Sequence, residues 1–260
     1  MFEGHFALSA KNTGCTLRCC GRVVLRFFLV NDCESRWDPA AVLNFKSVVS
    51  DVSDVLVRAA RKEYLCLEIV PAYVHRQLGV GICASGKDVS WVREIYTSSQ
   101  SVVTDQDRFR QEAGCDESPI LFVLNKNFRS SARSASVTAS GDRGAEEWSV
   151  IGFNNTPSGD ASFAKRTLLH EILHQFGAVD LYYPERVRLA AERQLGQSVM
   201  GLGSSLTIDD LTKVLIGWRR TFTERTMRFL SDTASVTAAE IRKGLDEEWG
   251  KMWRGHDAVS

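Results

Sequence analysis

The stretch HEILHQFGAVD, from His170 to Asp180, holds two histidines, a glutamate and an aspartate at spacings that allow metal chemistry. His170 and His174 are four residues apart. On a helix they lie about 40° apart around the axis, one turn above the other, so both imidazoles reach one ion. Glu171 projects between them, close enough to hold a water at that ion. A catalytic zinc takes about three protein ligands at roughly 2.0–2.2 Å and keeps one position open. One ligand therefore remains to be found. Gly177 stops the helix where a left-handed residue costs little, and the chain turns back to bring Asp180 to the same ion. In a continued helix Asp180 would lie about 15 Å up the axis from His170. Glu185 and Glu192, on or near the following helix, are rival third ligands, whereas Asp160 and His5 have no spacing argument.

Taken together, His170, Glu171, His174, Gly177 and Asp180 resemble the metzincin clan of zinc metallopeptidases, in the snapalysin-like subset where aspartate replaces the third histidine. In that clan a methionine underlies the metal in a tight turn, and Ser198-Val199-Met200-Gly201 fits such a Met-turn. Leu202 stands where some members carry a metal-neighbouring tyrosine; Tyr182 and Tyr183 are the alternatives. The resemblance implies one Zn2+ held by His170, His174 and Asp180, with Gly177 and Met200 structural at the site. The implied reaction is peptide-bond hydrolysis. Glu171 acts as general base on the attacking water and then as proton donor to the leaving amine. The implied substrate is a peptide or protein. Two other readings stand beside this one. One is an intracellular effector protease with one or few targets. The other is a zinc-stabilised binding module without turnover, against which the retained Glu171 argues.

The elements that must carry this stretch are legible in outline. Arg22 to Val30, RVVLRFFLV, reads as a buried strand. Asp38-Pro39 reads as a cap and first helical residue, followed by Val42, Phe45, Val49, Val52, Leu56 and Ala59 on one helix face to about Lys62. Leu65 to Val70 reads as a second strand closed by Pro71, parallel to the first. A short helix over Thr104–Ala113, a strand Ile120–Leu124 and a strand Trp148–Phe153 follow. Residues 129–145, rich in Ser, Ala, Arg and Gly, read as a hairpin or an irregular edge strand. The later helices are expected over Ser162–Phe176, Pro184–Leu195, Thr207 to about Arg220, and Thr237–Gly250.

This order implies an α/β (α+β) zincin-like fold. A mixed twisted sheet, a long backing helix and an active-site helix precede a smaller helical C-terminal subdomain. We read residues 1–260 as one catalytic domain, with 1–177 and 178–260 as its subdomains and the cleft between them.

Composition sets the outer limits. Lys+Arg and Asp+Glu are both 32, so a polyanion footprint, and with it nucleic acid or an anionic membrane as partner, is not expected. The 44% hydrophobic content is that of a globular chain. Seven cysteines is an odd number, and neither a CxxC spacing nor a histidine at finger spacing accompanies them. Cys15, Cys19 and Cys20 read as packing or surface residues. The first residues lack the basic-then-apolar layout of a secretory leader, so a cytoplasmic protein is expected. Oligomeric state is not legible.

Overall fold

The computed structural model describes residues 18–79, 81–82, 91–92, 95, 106–126, 130–133, 148–153, 161–219 and 221–234. Its elements are β1 (Gly21–Asn31), α1 (Pro39–Lys62), β2 (Leu67–Gln77), α2 (Gln106–Ala113), β3 (Ile120–Leu124), β4 (Ser131–Arg133), β5 (Trp148–Gly152), α3 (Ala161–Gln175), α4 (Glu185–Gln194), α5 (Asp210–Leu215) and α6 (Glu224–Ala234). The five strands form one mixed sheet in the order β2-β1-β3-β5-β4. β1 pairs parallel with β2 and β3, β3 pairs parallel with β5, and only β4 runs antiparallel.

β1 is buried from Val23 to Val30 because both faces of the sheet are covered, and its apolar run is broken only by Arg26, which is itself buried. Val23, Leu25, Phe27 and Leu29 enter the larger core with α1 and α3. Phe28 and Val30 enter a second core with Phe122, Leu124 and the buried Trp91, Val92 and Ile95. α1 forms where the spacing predicts it. Asp38 caps it by accepting from the Ala41 N–H at 2.7 Å, Pro39 opens it, and Phe45, Val49, Val52 and Leu56 are buried. It backs the sheet, and the Lys165–Asp51 ion pair (2.7 Å) joins α3 to it. The helical part after α3 is tied to α1 by Glu63, whose carboxylate receives Arg219 Nε and Nη2 at 2.6 and 2.8 Å.

Two expectations change. The second strand does not stop at Pro71 but runs to Gln77. β2 lies at the sheet edge, where half the backbone N–H groups have no ladder partner, so a proline is tolerated. The helix expected from Thr207 begins later, capped by Asp209, which accepts from the Thr212 N–H at 2.9 Å. The Thr207 carbonyl is used instead by the Val199 N–H, at 2.8 Å. Of residues 129–145, Ser131–Arg133 form the antiparallel edge strand β4. The helix expected over Thr237–Gly250 lies outside the described residues, as do Cys15, His5 and Asp160. Among the described residues, no helix is long and apolar enough to cross a membrane.

Candidate metal centre

α3 carries His170, Glu171 and His174 on its last two turns, with Leu169, Ile172 and Leu173 buried on its core side and Phe176 buried just past its end. It is pinned to the sheet by a buried polar contact. The Ser149 hydroxyl on β5 donates to the Glu171 carbonyl at 2.9 Å and accepts from Gln175 Nε2 at 2.9 Å. The helix then ends at Gly177, whose φ is +92°. The Gly177 N–H returns to the His174 carbonyl (3.0 Å) and the Ala178 N–H to the Leu173 carbonyl (3.1 Å). This is a Schellman termination, and it needs a left-handed residue at that point.

The reversal has two results. It places the Ala178 carbonyl 2.8 Å from His174 Nδ1. It also brings Asp180 back onto the two histidines. His170 Nε2 and His174 Nε2 are 3.0 Å apart, and Asp180 Oδ1 is 3.1 and 3.2 Å from them. These three residues are the group of potential ligands that gathers among the described residues. Glu185 and Glu192, the rival ligands, lie elsewhere: both are exposed and held by Arg188, at 2.9 and 2.7 Å.

The triangle fits a cation. A backbone carbonyl can only accept, so the contact from His174 Nδ1 to Ala178 O requires the proton on Nδ1. The same holds for His170 Nδ1, which lies 3.1 Å from Val199 O. In the neutral rings both Nε2 atoms then present lone pairs, facing each other and a carboxylate oxygen. Three electron-rich atoms at this separation repel one another unless a cation or a proton sits among them. A tetrahedral zinc with ligands at about 2.0–2.1 Å spaces them about 3.3–3.4 Å apart, close to the distances here. The two Nδ1 contacts are of the kind that orients histidines in metal sites. Without an ion the triangle attracts a proton instead. Burial lowers the His174 pKa, but Asp180 and Glu171 outweigh it and raise it overall. Burial raises that of Asp180, and the two imidazoles overcome this to hold it below the ordinary aspartate range.

Glu171 is 4% exposed, and burial raises its pKa against the opposing pull of His174 and His170. Its Oε2 has no hydrogen-bond partner among the described residues. A buried carboxylate oxygen without a donor is costly, so this one is available to a ligand.

Met200 lies fully buried in a turn closed by Gly201 N–H to Ser198 O (3.1 Å). The Ser198 hydroxyl accepts from the Met200 N–H at 3.0 Å and donates to Asp209 Oδ2 at 2.5 Å, and Asp209 also receives the Thr212 hydroxyl at 2.6 Å. The Leu181 N–H donates to the Met200 carbonyl at 2.8 Å, which couples the Asp180 loop to the turn. The Tyr182 ring lies 6.1 Å from that of His170, and Tyr183 is exposed. A pocket of about 320 Å³ adjoins the turn, lined by Leu181, Ala191, Gln197, Ser198 and Leu202 among others. Sequence reasoning did not find Ser149, Gln175, Asp209 or Arg166. The first three are common polar residues with partners on other elements. Arg166 alone carried a local signal, one helical turn before His170.

Comparison with known proteins adds little. No protein-family model matches the sequence, and no curated protein does. Among solved structures the chain is similar to the crystal structure of metalloproteinase-II from Bacteroides fragilis, with a TM-score of 0.40 and 16% identity over 74% of this chain and 52% of that one. The chain thus spans about half the length of that structure's chain.

Proposed function

We propose that the protein is a zinc-dependent metalloendopeptidase of the metzincin type, acting on peptide or protein substrates. The observation that carries this reading is the meeting of His170 Nε2, His174 Nε2 and Asp180 Oδ1 within 3.2 Å, with both Nδ1 protons committed to backbone carbonyls. A zinc ion held there supplies Lewis acidity to the scissile carbonyl and to the attacking water. Glu171, buried and with an unengaged oxygen, accepts the water's proton as the water oxygen bonds to the carbonyl carbon. It then delivers that proton to the departing amine as the carbon–nitrogen bond breaks, leaving a carboxylate and an amine. Met200 and Gly177 hold the two loops that orient the ligands.

The test uses the purified full chain and Glu171→Gln. Both are expected to bind one zinc per chain. Only the wild type should cleave a peptide library, chelator should abolish that cleavage, and the variant should lose at least about 100-fold in rate. Wild-type protein without stoichiometric metal overturns the metal reading. Equal cleavage by both proteins overturns the role of Glu171.

A further inference from the structure

Three successive carbonyls of the Met200 turn each hold a different part of the site. Val199 O accepts from His170 Nδ1, and Met200 O accepts from the Leu181 N–H beside Asp180. Gly201 O accepts from Arg166 Nη2. Arg166 and His170 are four apart on α3, so they share a face and grip neighbouring carbonyls of one turn. Arg166 is partly buried, its Nε has no partner among the described residues, and its charge is felt by Tyr182, Asp180 and Glu171. A guanidinium beside a cation site repels the ion. Its contact with Gly201 can offset this repulsion only through what it does to the turn.

We propose that Arg166 is a positioning residue of the metal centre: by clamping Gly201 it locks the turn whose two preceding carbonyls orient His170 and the Asp180 loop. The inference rests on the metal reading above and names the residue that keeps that arrangement rigid. Arg166 acts through the turn, and the gain in ligand orientation outweighs the repulsion its charge imposes on the ion. The guanidinium suits the task because it stays charged and carries several donors on a planar head.

The test compares wild type, Arg166→Lys and Arg166→Met in the full chain, with Arg166→Gln as a second neutral variant in case the methionine form does not fold. Three readouts are taken: the rate at which excess chelator strips zinc, the visible spectrum of the Co2+-loaded protein, and kcat against KM on one peptide. The neutral variants are expected to lose zinc about 10–100-fold faster, the effect typical of a residue that orients a ligand. Their Co2+ spectra should be altered, and kcat should fall while KM stays within about twofold. Arg166→Lys, which keeps the charge and a donor, should restore most of the wild-type stripping rate. If neutral variants strip at the wild-type rate or more slowly, repulsion dominates and the clamp is overturned. If lysine and methionine behave alike, the side chain is only packing and the clamp is again overturned. A wild type that binds no metal overturns the metal reading itself, which is a different result from either.

Discussion

Gly177→Ala probes the local geometry that gathers the candidate metal ligands at a helix end. The glycine sits at φ +92°, and a Cβ there costs about 1–2 kcal/mol. For a chain of this size each kcal/mol lowers the melting temperature by about 2–4 °C, so the metal-free variant should melt about 2–8 °C lower. The strain also bears on function. It is relieved by loosening the Ala178 N–H to Leu173 O bond, which moves the Ala178 carbonyl away from His174 Nδ1. Loss of such an orienting acceptor weakens metal binding about 10–100-fold, or about 1.4–2.7 kcal/mol. Because metal bound only to the folded chain adds to stability, the wild-type-to-variant gap should widen by about that amount at saturating zinc. Thermal unfolding with and without zinc, together with competition against a chromophoric chelator, measures both quantities. Gly177→Asn should be milder, since asparagine tolerates the left-handed region better. An alanine variant with wild-type melting and wild-type zinc affinity would refute the link between the turn and the metal.

Two further outcomes follow from the charged groups. Asp180→Ala should lower zinc affinity by more than about 100-fold, beyond the worth of an orienting group, while Glu185→Ala should leave it within about twofold, because Glu185 is tied to Arg188 on the surface; the opposite pattern by isothermal titration would move the third ligand. Asp32 is fully buried; burial pushes its pKa up, but the Lys126 ammonium at 2.5 Å and the Ile82 and Ser35 donors bring it down to about 2. Its stabilisation is therefore present above the ordinary aspartate pKa and is lost as pH falls from about 4 to about 2, a change of about 2 kcal/mol. Denaturant unfolding of wild type and Asp32→Asn should converge over that window, and parallel curves would show that Asp32 is not the group responsible.

Much of the candidate site was legible because its parts are close in sequence. A four-residue spacing on a helix brings two imidazoles together whatever the rest of the chain does. A glycine at the helix end supplies the one backbone conformation that lets a residue three further on come back. α1 was legible for a similar reason, since a capping aspartate, a proline and an apolar face at helical spacing are all local. β2 was misread because proline stops a central strand but not an edge strand, and edge position is decided by which strands pair. The cap of α5 was misread because Thr207 and Asp209 are both good capping types. Only the fold commits the Thr207 carbonyl to Val199 and the Asp209 carboxylate to Ser198 and Thr212.

The sequence by itself determined the identities and order of the ligand candidates, the helix that presents two of them and the turn that returns the third. These depend on backbone geometry over a few residues. Tertiary structure decided what those side chains meet. It left Asp180 beside the two histidines with Glu185 and Glu192 on the surface, set His170 and His174 Nδ1 against the Val199 and Ala178 carbonyls, buried Glu171 and joined Arg166 to Gly201. Of these contacts only that of His174 with Ala178 is local. Those of His170 with Val199 and of Arg166 with Gly201 join α3 to the turn around Met200, and they form only when the packed core holds that turn against the helix.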